Sequence, residues 1–185
     1  MNKAFTKETD YDESADAVVE PVDPLPEGAP NYVTAAGAVR VRAELRRLLD
    51  EEIPRLEALA GTGRESSGAR DNEAKSKARR RLKEIKAQAR LLESHVARFE
   101  VVAPNADGHG AVRFGARVTV LDEGDNERTY LICGVDEAEP ETGAVSWISP
   151  IAKALLGREP GDEVTLRLPR GEQRLEILDV EYDDR

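Results

Sequence analysis

The chain has 185 residues, of which 39% are hydrophobic, 4% aromatic and 35% charged, with a formal net charge of −10. So little aromatic and apolar material argues against one large core and for two small ones. No apolar run approaches the ~18 residues a membrane span requires, and Met1–Lys7 is followed by no apolar stretch of the secretory kind. The single cysteine, Cys133, excludes an internal disulfide and sits in an apolar run as a small buried hydrophobe would. With only His95 and His109 beside it, a structural zinc site is not expected, and neither histidine has a nucleophile near it to activate. These features point to a cytoplasmic protein.

Charge is unevenly spread. Residues 1–30 carry a net −6, residues 31–100 a net +5 and residues 101–185 a net −9. A basic middle between acidic ends can face a polyanion with one part and a basic protein surface with another. Residues 1–30 hold Pro21, Pro24, Pro26 and Pro30 as well as eight acidic side chains. Proline breaks helix and strand, and so polar a segment buries too little to offset its ordering entropy. A disordered acidic tail is expected, with autoinhibition or partner steering as the functional alternative.

Order is expected from Tyr32. Thr34 is a good N-cap, and Val41, Leu45, Leu49, Ile53, Leu56 and Ala60 recur at spacings of three and four, predicting a helix over 35–60. Pro54 removes a helical hydrogen bond, which predicts a kink or break close to Ile53-Pro54. A glycine- and serine-rich turn, 61–71, leads to a second helix over 71–99, with a heptad seam of Ala78, Leu82, Ile85, Ala89, Leu92, Val96 and Phe99. Two such helices pack antiparallel, as a coiled-coil rod with the turn at its far end; a plain spacer has the same pattern. Lys75, Lys77, Arg79, Arg80, Arg81, Lys83, Lys86 and Arg90 crowd the first half of the second helix, with Arg40, Arg42, Arg46 and Arg47 on the first. Such a face contacts phosphates without reading sequence, or is simply solvated. It has no interleaved aromatics for base stacking.

Beyond Pro104 five short β-branched runs predict strands at 118–121, 128–132, 144–148, 163–168 and 174–180. Between the third and fourth, Ser149 can cap, Pro150 suits the first helical position and Gly157 the exit of one short helix. The fold class is therefore α+β: a helical hairpin over 31–100, then a small antiparallel β domain over 101–185.

Several segments in order resemble one family. They are Asn31–Gly37, Arg80–Ile85, Val112–Val118, Ser146–Leu156 and Gly161–Val164. Together they resemble the Gre transcript-cleavage factors, nearer the GreB branch, across roughly residues 31–182. The resemblance implies an N-terminal coiled-coil hairpin and an FKBP-like C-terminal domain that docks, near Ser149 and Pro150, on bacterial RNA polymerase. It implies that the hairpin enters the secondary channel, where tip carboxylates help hold a Mg2+ ion of the polymerase active centre and a water that cuts the 3′ end of backtracked nascent RNA. Magnesium prefers hard oxygen donors, and the factor is then an accessory rather than an enzyme. The family tip reads aspartate, two residues, glutamate, asparagine. Here the matching positions are Gly68, Ala69, Arg70, Asp71 and Asn72, so one aspartate is lost, a shorter acid replaces glutamate, and Lys75 stands where a tyrosine is usual. Asp71 is the implied metal ligand, with Asn72, Glu73 and Glu65 as further tip candidates. Lys75, Lys77, Arg79, Arg80, Arg81 and Lys83 are the implied RNA-contacting face. A channel regulator without cleavage, a free-standing prolyl isomerase and a general nucleic-acid binder are the competing readings. No sequence-specific DNA contact and no membrane partner are expected.

Overall fold

The computed structural model describes residues 20–61, 69–103, 110–168 and 171–182. The first ordered element is β1 (Asn31–Val33), followed by α1 (Ala35–Arg47), a π-helical turn (Leu48–Glu52) and α2 (Ile53–Gly61). Thr34 caps α1, its hydroxyl accepting from the Gly37 N–H at 2.9 Å. The expected irregularity at Ile53-Pro54 is present and has a definite form. Pro54 has no N–H for the Asp50 carbonyl, and the Ile53 N–H reaches back five residues to the Leu48 carbonyl. The wider turn shifts the phase of the apolar stripe. Leu48, seven residues after buried Val41, is 1% exposed, whereas Leu49, the residue the sequence stripe places inside, is 38% exposed.

Helix α3 (Ala69–Ala97) is about 43 Å long at about 1.5 Å per residue. Arg42 lies over the Phe99 ring at 5.6 Å, and Glu57 meets Lys86 at 2.6 Å, so the helices run antiparallel. Their core is narrow. Leu48, Leu56, Ile85 and Ala89 are buried, with Leu45, Ile53, Leu82 and Leu92 half-buried around them. After α3 the chain forms β2 (Phe99–Val101), which pairs in parallel with β1. The sequence pattern does not disclose this pair, because three residues are too few to show alternation. It ties both ends of the helical region together at one base.

The second part is a five-stranded sheet made of β3 (Ala116–Asp122), β4 (Glu127–Cys133), β5 (Ala144–Ser146), β6 (Glu163–Leu168) and β7 (Gly171–Tyr182), in the order β5-β4-β3-β7-β6. A bulge at Thr119/Val120 shifts the β3–β7 register. All five expected strands are found, but the sheet is mixed, which corrects the antiparallel reading. Strand β5 runs parallel to β4 because the chain leaves β4 through 3-10 turns at Val135–Glu137 and Pro140–Thr142 and re-enters in the same direction. Alternation marks a strand's faces and says nothing of its direction. Helix α4 (Pro150–Leu155) begins as expected, with the Ser149 hydroxyl accepting from the Ala152 N–H at 3.2 Å and Pro150 at the first position. Gly157 follows with φ +80°. Ala152 and Leu155 close one end of a core of Val118, Val120, Ile132, Val164 and Ile177, all at most 5% exposed.

Residues 20–30 depart from the expected disorder. Leu25 is 6% exposed, and Asp23 bonds to two residues of the α3 end. They form no helix or strand and turn at Pro26–Ala29, where the Ala29 N–H donates to the Pro26 carbonyl at 3.0 Å, and a polar segment gains its order here from partners rather than from its own core. Residues 1–19 lie outside the described residues, as do His109 and Glu65.

Candidate functional site

Two chemically different places stand out, one at each end of the helical pair. The far end is the N-terminus of α3. Backbone helix is already formed at Ala69, Arg70 and Asp71, placing Asp71 in the first turn, about 36 Å along the axis from His95 at about 1.5 Å per residue. The side chain of Asp71 lies outside the described residues. Asn72 is exposed, and Glu73 is exposed and paired with Lys77 at 3.0 Å. Among the described residues no group of three or more His, Cys, Asp or Glu is placed to hold a metal ion.

The basic face follows directly. Lys77, Arg79, Arg80, Arg81 and Lys83 are exposed and Lys75 is half-buried. Glu84 answers two of them, at 3.4 Å from Arg80 and 3.1 Å from Arg81. Pairs of this kind on an exposed helix contribute only ~0.3–0.5 kcal/mol each, so they leave most of the positive potential in place. In the sheet domain Pro150 is exposed, and Ser149 is half-buried with its hydroxyl engaged in the α4 cap.

The near end is a polar junction that sequence reasoning missed. Glu137, 9% exposed, projects from the sheet domain onto the start of α1. Its carboxylate accepts from the Thr34 N–H at 2.9 Å, the Thr34 hydroxyl and the Gly134 N–H at 3.0 Å, with Arg40 at 3.7 Å. It thus adds an acid to the positive end of the α1 dipole. The socket requires two glycines. A Cβ at Gly37 would overlap the Glu137 carboxylate, and one at Gly134 would fall 2.6 Å from the Tyr32 carbonyl. Beside it, Asp136 accepts from the Asn31 amide at 2.8 Å and lies 2.7 Å from His95 Nδ1.

His95 is 1% exposed, and its other ring nitrogen, Nε2, lies 3.0 Å from Asp23 Oδ1. A neutral imidazole has one N–H, so both bonds are donated together only by the imidazolium. Among the described residues its ring partners are the carboxylates of Asp136 and Asp23, and it joins the two across the junction. Asp23 also accepts from Arg98. Its partial burial pushes the carboxyl up, but the Leu25 N–H, Arg98 and His95 outweigh this and bring it down to about 2. Cys133, behind the junction, is pushed up to about 12 by burial and by Glu137, which leaves it an inert thiol. Tyr32 completes the contact, edge-on to Trp147 at 5.2 Å and tilted against Phe114 at 6.2 Å. The clue in the sequence is the pairing of Thr34 and Gly37 with a distant Gly134-Val-Asp-Glu137, legible only once the two parts are in contact.

Fold and site together define a two-part α+β protein: a charged helical pair held at its base on a small sheet domain by buried carboxylates. Residues 107–182 match the family model described as the C-terminal region of transcription elongation factor GreA/GreB. Over 152 residues the chain is 39% identical to transcription elongation factor GreA of Alkalilimnicola ehrlichii, covering 81% of this chain and 96% of that one. It is 34% identical over 153 residues to transcription elongation factor GreB of Neisseria meningitidis serogroup B, covering 82% and 94%. The GreA factor homolog Gfh1 of Thermus thermophilus superposes with a TM-score of 0.38 at 24% identity, covering 83% of this chain and 99% of that one. The chain belongs to the GreA/GreB family of transcription elongation factors. Its relatives carry both names, which fixes the family and leaves the GreB branch unselected. Among the described residues no helix is long and apolar enough to cross a membrane.

Proposed function

We propose that the protein binds bacterial RNA polymerase, inserts its helical pair as a coiled coil through the secondary channel, and promotes cleavage of backtracked nascent RNA. The observation that carries this reading is the placement of Asp71, Asn72 and Glu73 within the first five residues of a 29-residue helix, at the end remote from the sheet domain. A projection of about 43 Å with acids at its far end suits delivery of oxygen ligands into a deep site. On this reading the sheet domain is FKBP-like and docks on the polymerase around Ser149 and Pro150. Asp71, helped by Asn72, Glu73 or Glu65, lends oxygen donors to a Mg2+ ion of the polymerase active centre. The donor type is right for magnesium, and the bound ion would activate water and stabilise the leaving oxygen. The polymerase remains the catalyst. Lys75, Lys77, Arg79, Arg80, Arg81 and Lys83 would contact RNA phosphates without reading bases.

A second reading keeps the docking and drops the cleavage. Two observations favour it: glycine at position 68 cannot supply a carboxylate, and Glu73 is engaged by Lys77 at 3.0 Å. The test is a stalled, backtracked elongation complex with the RNA end-labelled and polymerase capture run in parallel. Binding with magnesium-dependent shortening, lost in Asp71→Ala, supports cleavage. Binding without shortening, with shortening gained in Gly68→Asp, supports the regulator.

A further inference from the structure

The helical pair joins the sheet domain by a single chain crossing, between β2 and β3, so the angle between them is set by contacts. On one side these are the Tyr32 ring against Trp147 and Phe114. On another side the helices do not close on the sheet domain. Val41 of α1 and Gln88 and Leu92 of α3 share an open cleft of about 400 Å³ with Asp136 and Glu139. Apolar packing does not fix the angle there, and the cleft leaves the helices room to tilt.

The link on that side is polar. Asp136, which lines the cleft, lies 2.7 Å from His95 Nδ1 and accepts from the Asn31 amide at 2.8 Å. His95 is braced in turn from a strap formed by residues 20–30. Its Nε2 lies 3.0 Å from Asp23 Oδ1, and Asp23 also accepts from Arg98, just past the end of α3. The strap is itself pinned, with Leu25 6% exposed and the Leu25 N–H donating to Asp23 at 2.9 Å. An imidazole held at one nitrogen can turn; one held at both, and 1% exposed, presents its Nδ1 in one direction. Asp23 lies ahead of the stretch, roughly residues 31–182, that resembles the family.

The length of α3 magnifies any slack at this base. Asp71 stands about 36 Å along the axis from His95, so a tilt of about 5° carries it about 3 Å sideways. A misplacement of about 1 Å is enough to cost up to about 10²-fold in a reacting geometry.

We propose that Asp23, acting through His95 on Asp136, is a positioning residue: the strap braces the angle at which the helical pair leaves the sheet domain, and with it the place of the pair's far end. The brace itself follows from these contacts, whereas its effect on RNA cleavage rests on the proposed function.

The test measures the angle in the full chain without polymerase. Spin labels go on Ala74→Cys near the far end of α3 and on Thr165→Cys in β6, both exposed, while Cys133 is buried. Electron–electron distance measurement should give one narrow distribution, at least doubled in width by Asp23→Ala and by His95→Gln. A second pair, Ala74→Cys with exposed Glu93→Cys, lies wholly on α3 and should keep its width in both variants. In the backtracked complex, Asp23→Ala should capture polymerase as before and cleave at least fivefold more slowly at saturating protein. An unchanged distance between sheet and far end in Asp23→Ala would overturn the brace, as would equal broadening of the pair within α3, which marks fraying rather than tilt. An unchanged cleavage rate beside a broadened distance would overturn the positioning role. The distances are read without polymerase, so they hold whether or not the intact chain promotes cleavage.

Discussion

The two ends of the helical pair are built on opposite principles. At the base, carboxylates are buried and fully engaged: Glu137 takes three hydrogen bonds and Asp136 two. At the far end the charges are exposed and loosely paired, and the buried core thins to Ala78. Unpaired buried charge is costly, so the base tolerates little change and holds one geometry. Exposed charge costs little, so the tip can vary in sequence without loss of fold.

That contrast can be broken most strongly at Glu137. Glu137→Ala strands the donors of Thr34 and Gly134 and should remove about 3 kcal/mol of stability, read as a lowered midpoint in urea unfolding. Gly37→Ala should act through the same socket by displacing the carboxylate. Asp71→Ala, at the end of α3 remote from the sheet domain, should leave that midpoint unchanged within ~0.5 kcal/mol. A larger loss at Asp71 than at Glu137 would invert the comparison.

The next effect is functional. Asp71→Ala should lower the rate of cleavage in the backtracked complex by at least about tenfold, equivalent to ~1.4 kcal/mol of barrier, while polymerase capture is retained. Arg80→Glu should act more gently, weakening RNA contact mainly at low salt and reducing the slope of log affinity against log salt by about one.

The smallest effects concern the strap and the aromatic contact. Asp23 has a carboxyl brought down from 3.8 to about 2. A lowered folded value means stability that is present above the unfolded value and lost as pH falls through the folded one. Acid titration followed by Trp147 fluorescence or proteolysis of the N-terminal segment should show release of the strap between about pH 4 and pH 2. Asp23→Asn should flatten that step. Trp147→Phe should cost under about 1.5 kcal/mol, because the buried Trp147 Nε1 has no hydrogen-bond partner among the described residues to lose.

What was legible in the sequence was what depends on local pattern. The Thr34 and Ser149 caps, the break at Pro54, the α3 seam and all five strands of the larger sheet follow from side chains within a few positions of each other. What was not legible depends on meetings across the chain. Leu48 rather than Leu49 is inside because it lies one heptad after Val41, and the added residue of the π turn then keeps Ile53 and Leu56 in the same core. The β1–β2 pair, the parallel entry of β5 and the Glu137 socket join residues up to 103 positions apart. The same holds for Asp23 and His95, 72 positions apart, which turned an expected disordered stretch into a strap. For the tip, the glycine at position 68 could be read directly, but what it means for the proposed cleavage depends on the proposed partner.

The most direct test of the central claim is the labelled-RNA assay on a backtracked polymerase complex, with capture of the polymerase measured on the same preparation. The account predicts capture together with magnesium-dependent shortening of the RNA, the shortening alone being lost in Asp71→Ala. Failure of the intact chain to capture polymerase would contradict it.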